Sequence, residues 1–133
     1  MDKVVPIDEE YIYEGRVAIS QTDLKGTITF VNRKFSEISG YSVSELVDSE
    51  HDIIRHPEVA QEIFDKMWEA LKNGQVWNGM LKNLRKDGKF YWVEMEIAPI
   101  LDKQEQVTGF MSVAKPAARK NIEENEKLLN KTK

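Results

Sequence analysis

A chain of 133 residues with 41% hydrophobic side chains suits one compact core and argues against wholesale disorder. Its net charge of −4 argues against nucleic acid as the main partner. With no cysteine, disulfides, thiolate metal sites, iron–sulfur clusters and cysteinyl–flavin photochemistry are all excluded.

Residues 1–15 are acidic and weakly patterned and read as a lead-in or cap. They lack the apolar stretch of a signal peptide, and no later run is long enough to span a membrane; a cytoplasmic protein with no direct membrane insertion is expected. One globular domain is expected over 16–115 and a helical tail over 116–133.

VAISQTDLKGTITFVN reads as a hairpin, with Val17, Ile19, Ile28 and Phe30 as apolar strand positions and Asp23–Gly26 as the turn. Asn32 ends the second strand and is placed to cap RKFSEIS, which Gly40 stops; Ser42 or Ser44 caps a further short turn. Residues 57–73 carry the strongest helical pattern: Val59, Ile63, Met67 and Leu71 recur every four residues, beside Ala60, Phe64 and Trp68. Pro57 and Glu58 suit its first turn and Gly74 its end.

Two long strands follow in VWNGMLKNLRKDGKFYWVEMEIAPI. Trp77, Gly79, Leu81 and Asn83 share one face of the first, and Tyr91, Val93, Met95 and Ile97 one face of the second. Turning both faces inward sets Asn83 opposite Tyr91 and Leu81 opposite Val93. That register requires a three-residue loop, Lys86-Asp87-Gly88, because a two-residue turn would send one apolar face to water. Trp92 then faces outward. A last strand over 106–114 carries alternating Val107, Gly109, Met111 and Val113 before Pro116, and the charged tail, with Ile122, Leu128 and Leu129, suits an amphipathic output helix. The order predicts an α+β fold: a five-stranded antiparallel sheet with short helices and one long helix on one face, plus a C-terminal helical tail.

Asn83 interrupts an otherwise apolar face. It either bonds to a neighbour's backbone or faces a planar heterocycle, to which an amide can donate and accept at once. Trp68 and Trp77 flank the same space, and Gly79 removes a side chain where a ring could lie. Both histidines fall in HDIIRHPEV. His51 and His56 are five residues apart and do not share a helix face as a zinc pair would, so no metal site is expected. Arg55 and His56 beside a helix start offer a phosphate site, or simply a helix N-terminus. HExxH, GxSxG, P-loop and GxGxxG motifs are all missing, which argues against an enzyme.

GTITFVNRKFSEISGYSVSEL, the long helix, WNGMLKNLRKDGKFYWVEMEIAPI and GFMSV together resemble a PAS domain over residues 17–114, on the series Asn32, Phe35, Gly40, Tyr41 and the RKDG turn. HDIIRHPE, MW, GQVWNG and KNLRKDGKFYWV are similar, more narrowly, to the PAS domains of bacterial aerotaxis (energy-taxis) receptors, which bind FAD non-covalently. The resemblance implies that Arg55, His56 and Glu58 match an RHPD motif needed for FAD binding, with Glu in place of Asp. It places His51, Trp68 and Trp77 at pocket positions, Asn83 near the isoalloxazine, and Asn32 at the strand end. It implies a redox sensor that signals to an aerotaxis receptor or a HAMP-like domain protein, with a homodimer left open. The usual D-I-T ending is replaced by Val113-Ala114-Lys115-Pro116. Two alternatives keep the fold: a haem-binding gas sensor using His51 or His56, and a cofactor-free dimerisation module.

Overall fold

The computed structural model describes residues 3–131, with side chains through Lys127. Strands β1 (Ala18–Asp23), β2 (Ile28–Val31), β3 (Trp77–Leu84), β4 (Phe90–Leu101) and β5 (Val107–Pro116) form one antiparallel sheet in the order β2-β1-β5-β4-β3. Helices α1 (Arg33–Ser39), α2 (Val43–Leu46) and α3 (Gln61–Lys72), with a 3-10 turn at His51–Ile54, connect β2 to β3 and pack on the inner face; α4 (Arg119–Lys131) packs on the outer face. This is the α+β fold expected.

Local chemistry accounts for the punctuation. The Asn32 side chain accepts from the Phe35 and Ile19 amides and donates to the Val17 carbonyl, so one residue caps α1 and ties β2 to β1. Gly40 closes α1 in the left-handed conformation. Ser42 and Glu45 form a reciprocal capping box on α2. In the β3–β4 hairpin Asn83 lies opposite Tyr91 and Leu81 opposite Val93, and the Arg85 amide bonds to the Lys89 carbonyl at 2.8 Å around Lys86-Asp87-Gly88. The three-residue loop is the one its apolar faces require.

Four expectations change. The long helix begins at Gln61, not at 57: the His56 carbonyl accepts from Val59 and its Nδ1 accepts from the Glu58 amide, so residues 56–59 form a turn of their own. Arg55 and His56 therefore do not adjoin a helix start at 57. In β2 an extra residue, Thr29, puts Ile28 and Val31 inward and leaves Phe30 46% exposed. In β1 and β5 the inward residues are Ala18, Ser20, Thr22 and Phe110, Ser112, Ala114; Ile19, Met111 and Val113 lie on the outer face. Gly79 does leave room for a ring, but Trp77's own indole fills it, within 2.4 Å of where a Cβ would stand.

Trp92 faces outward, as expected, and α4 covers it: Phe90, Trp92 and Ile122 form a separate buried cluster. The side chains of Leu128 and Leu129 lie outside the described residues. Residues of the lead-in run beside the hairpin, with Tyr11 donating to the Phe90 carbonyl and Ile7 to that of Gly88. Arg119 of α4 makes a two-pronged pair with Glu10, at 3.0 and 2.8 Å.

Candidate functional site

A cavity of about 280 Å³ lies between α3, the segment 50–55 and the inner face of the sheet. The segment acts as a strap. At one end Glu50 bridges to Thr27 beside β2; at the other Arg55 bridges to Asn83 on β3. These are the two edges of the sheet. Four strand spacings amount to about 19 Å in a flat sheet; five peptide steps, mostly 3-10, reach ~10–13 Å, and the two bridges add about 5 Å each. The strap is therefore just long enough to cross the inner face, and it roofs the hollow.

Leu81, Met95, Ile97 and Phe110 give the hollow an apolar floor, with Met67, Trp68 and Leu71 of α3 above it. Trp68 meets the Phe110 ring edge-on at 5.3 Å. Asn83 is 6% exposed and shares a hydrogen bond with the hydroxyl of Tyr91, whose pKa burial raises. The amide thus has a side-chain partner and also lines the cavity.

Away from Asn83 the floor turns polar. Ser20, Thr22 and Ser112 are 0, 9 and 6% exposed and line the cavity. Ser20 Oγ lies 3.1 Å from His51 Nε2. Burial pushes the His51 imidazole down to about 4, against smaller opposing effects of its own carbonyl and Asp52, so the ring is neutral at pH 7. No hydrogen bond among the described residues engages the hydroxyls of Thr22 or Ser112. In the sequence only Val17 and Ile19 stand out as the apolar positions of β1, and these hydroxyls are passed over; the alternation Ala18, Ser20, Thr22 was the signal.

The exposed lining residues Lys25, Glu50, Asp52 and Gln61 mark the mouth. Arg55 sits there with its guanidinium 4.3 Å from the Phe64 ring centre and donates to Gln61 Oε1 at 2.7 Å.

Of the residues singled out from sequence, His51, Arg55, Trp68 and Asn83 come together on this cavity. The others stand outside its lining. Asn32 caps α1, and Trp77 packs over Gly79. His56 is buried in the 56–59 turn. Glu58 reaches round the edge of β3 to Lys82, 2.9 Å away. Among the described residues no cluster of His, Asp and Glu could hold a metal, and no helix is long and apolar enough to cross a membrane.

A family model described as the PAS fold matches residues 28–114. The chain belongs to the PAS family. This PAS domain is 38% identical over 104 residues to the aerotaxis receptor of Escherichia coli (strain K12), covering 78% of the chain and 20% of the receptor. It is 31% identical over 102 residues to the nitrogen fixation regulatory protein of Klebsiella pneumoniae, covering 77% and 21%. The domain spans about a fifth of the length of these curated relatives. Among solved structures, a PAS domain from Colwellia psychrerythraea superposes with a TM-score of 0.71 at 27% identity, covering 76% of this chain and 86% of that one. A light-oxygen-voltage domain studied with a flavin analogue superposes at 0.74 with 22% identity, over 87% and 88%, which shows the shared fold.

Proposed function

We propose that this PAS domain binds FAD non-covalently and reports its redox state to a signalling receptor, without catalysing a reaction itself. The observation that carries the reading is the cavity: a mostly apolar hollow edged by a buried amide and by hydroxyls with hydrogen-bonding capacity to spare. Its volume is near the lower end of ligand pockets, ~300–1,000 Å³. It suits a ring system more than a whole dinucleotide, which leaves the phosphates for the mouth, where Arg55 and Lys25 supply cationic donors among the carboxylates of Glu50 and Asp52. The similarity to an aerotaxis receptor supports the flavin and the receptor pathway alike.

When bound, the flavin supplies the electron transfer, and the protein supplies orientation and a response. Trp68, Phe110 and the aliphatic floor exclude water from the ring. Asn83 is the group placed to respond, since an amide can exchange a donor for an acceptor as the charge facing it changes. Its side chain adjoins Tyr91 and its backbone is bridged to Arg55, so a shift in Asn83 strains β3, β4 and the strap together. A response requires unequal affinity of the two redox states for two conformations.

Purified protein should take up FAD, with flavin absorption bands and FAD released on denaturation. Asn83→Ala should bind within about tenfold of wild type, the loss of one ordinary hydrogen bond, yet lose the difference between oxidised and reduced samples in limited proteolysis. Protein that stays colourless with FAD added sinks the reading; a normal redox response in the Asn83 variant sinks the sensing role.

A further inference from the structure

We propose that the Lys82–Glu58 ion pair is a positioning device that couples the strap over the cavity to the docking of α4 on the opposite face of the sheet. The inference rests on the reading of the cavity as a flavin site for its ligand, but the coupling is built from protein contacts alone.

Lys82 is the neighbour of Asn83 on β3, so its side chain leaves from the other face. There its side chain is only 10% exposed. Its Nζ lies 2.9 Å from Glu58 Oε2 and 4.3 Å from the centre of the Phe90 ring, with the Trp92 ring at 6.0 Å. Phe90 and Trp92 are the surface on which Ile122 of α4 is buried. Glu58 follows Arg55 by three residues, and Arg55 both lines the cavity and bridges to Asn83. One ammonium group thus touches the 56–59 turn, which follows directly on the cavity strap, and the floor of the α4 dock. Breaking such a shielded pair leaves a charge poorly solvated, so its two ends are expected to move together.

The dock is itself poised. Trp92 Nε1 is buried with no hydrogen-bond partner, a cost that docking of α4 must overcome. The polar ties of α4, Arg119 to Glu10, Asn121 to Glu94 and the long contact of Asn125 with the Met80 sulfur at 4.0 Å, lie at its first two turns. A modest change under Phe90 and Trp92 can therefore tip the helix. By linkage, a ligand that orders the strap favours docking, and docking favours the ligand by the same factor.

Glu58, three residues past the strap's last bridge, accordingly has a role that needs no contact with the ligand. Glutamate reaches Lys82 around the strand edge, and its place in the motif is that of a tether.

The test compares Lys82→Met, which keeps the stem and removes the charge, with Lys82→Arg, which keeps both. Glu58→Gln is the second route to the same break, at an exposed residue that leaves the Phe90 cluster intact. FAD affinity is measured by fluorescence quenching, and amide exchange over residues 119–127 is followed with and without FAD. Wild type and Lys82→Arg should show slower exchange in α4 when FAD is bound. Lys82→Met and Glu58→Gln should bind FAD about fivefold more weakly, the low end of typical coupling, and show no FAD-dependent change in α4. A separate arm uses no ligand: Ile122→Asp, which undocks α4, should speed exchange over residues 55–59 in the wild-type background and not in Lys82→Met. Persistence of the FAD-dependent change in both charge-removed variants overturns the proposal, as does unaltered exchange over 55–59 in Ile122→Asp. If wild type takes up no FAD, the flavin reading has failed, and the ligand-free arm alone decides the coupling.

Discussion

His51 makes the stability of this domain depend on pH in a window that can be worked out in advance. Buried at the cavity wall, its imidazole is pushed down to about 4 from an ordinary 6.5. Between those values the unfolded chain binds a proton that the folded domain refuses, so folding stability falls as the pH is lowered from about 6.5 to 4. Each tenfold gap in proton affinity is worth about 1.4 kcal/mol. The ring is partly open to water through the mouth, which reduces the full gap of about 3 kcal/mol, leaving losses of about 1 kcal/mol at pH 5.5 and about 2 kcal/mol at pH 4.5. Glu45, held down to about 2 first by Lys86 and then by its cap contacts, gives its stability up only at lower pH, as acid passes from its ordinary value of 4.5 toward 2. The assay is urea unfolding of ligand-free protein near pH 7, 5.5 and 4.5, alongside His51→Asn. The carboxylates contribute equally to both proteins, so the difference between the curves isolates the imidazole. Wild type should lose about 2 kcal/mol more than the variant by pH 4.5. Parallel losses would refute the buried neutral imidazole.

Two further outcomes test the floor and the hairpin. Replacing both Ser112 and Thr22 (Ser112→Ala with Thr22→Val) should weaken FAD binding by about 5–30-fold, two hydrogen bonds of ordinary strength, while leaving stability unchanged or higher; equal affinity would show that the hydroxyls do not meet the guest. Gly88 has φ +91°, and a Cβ there would stand 2.6 Å from the Val5 carbonyl oxygen. Gly88→Ala should cost roughly 1–3 kcal/mol and lower the thermal midpoint by several degrees, and an unshifted midpoint would contradict both the turn geometry and the packing of the lead-in.

The punctuation of this fold was legible because its causes are local. Asn32, Gly40, Ser42 and the Lys86-Asp87-Gly88 loop act within a few residues of themselves, and each stands where its chemistry requires. The inner parity of β1 and β5 was not local. Period-two alternation shows that two faces differ, but which is inward depends on what the sheet encloses. Here it encloses a hollow with a polar end, so Ser20, Thr22 and Ser112 turn inward while Ile19, Met111 and Val113 do not. The start of α3 misled for a related reason. Pro57 and Glu58 carry good signals for a helix N-terminus, yet His56 uses its carbonyl and its ring to close a turn over them first.

The density of unusual residues in HDIIRHPEV follows from a structural demand that precedes any ligand. A five-stranded open sheet has two edges, and exposed edges invite further pairing. One short segment is bridged to both, at Thr27 and at Asn83. To do so it must cross over the inner face with little length to spare, and it closes the hollow from above. Polar side chains on such a crossing can point in only a few directions. His51 meets Ser20 in the hollow and Arg55 guards the mouth, while Glu58 passes outside to Lys82. The pocket and its link to the outer face are in this sense one construction. Lengthening the segment by a residue would slacken this roof, and the closed pocket and α4 docking should then be lost together.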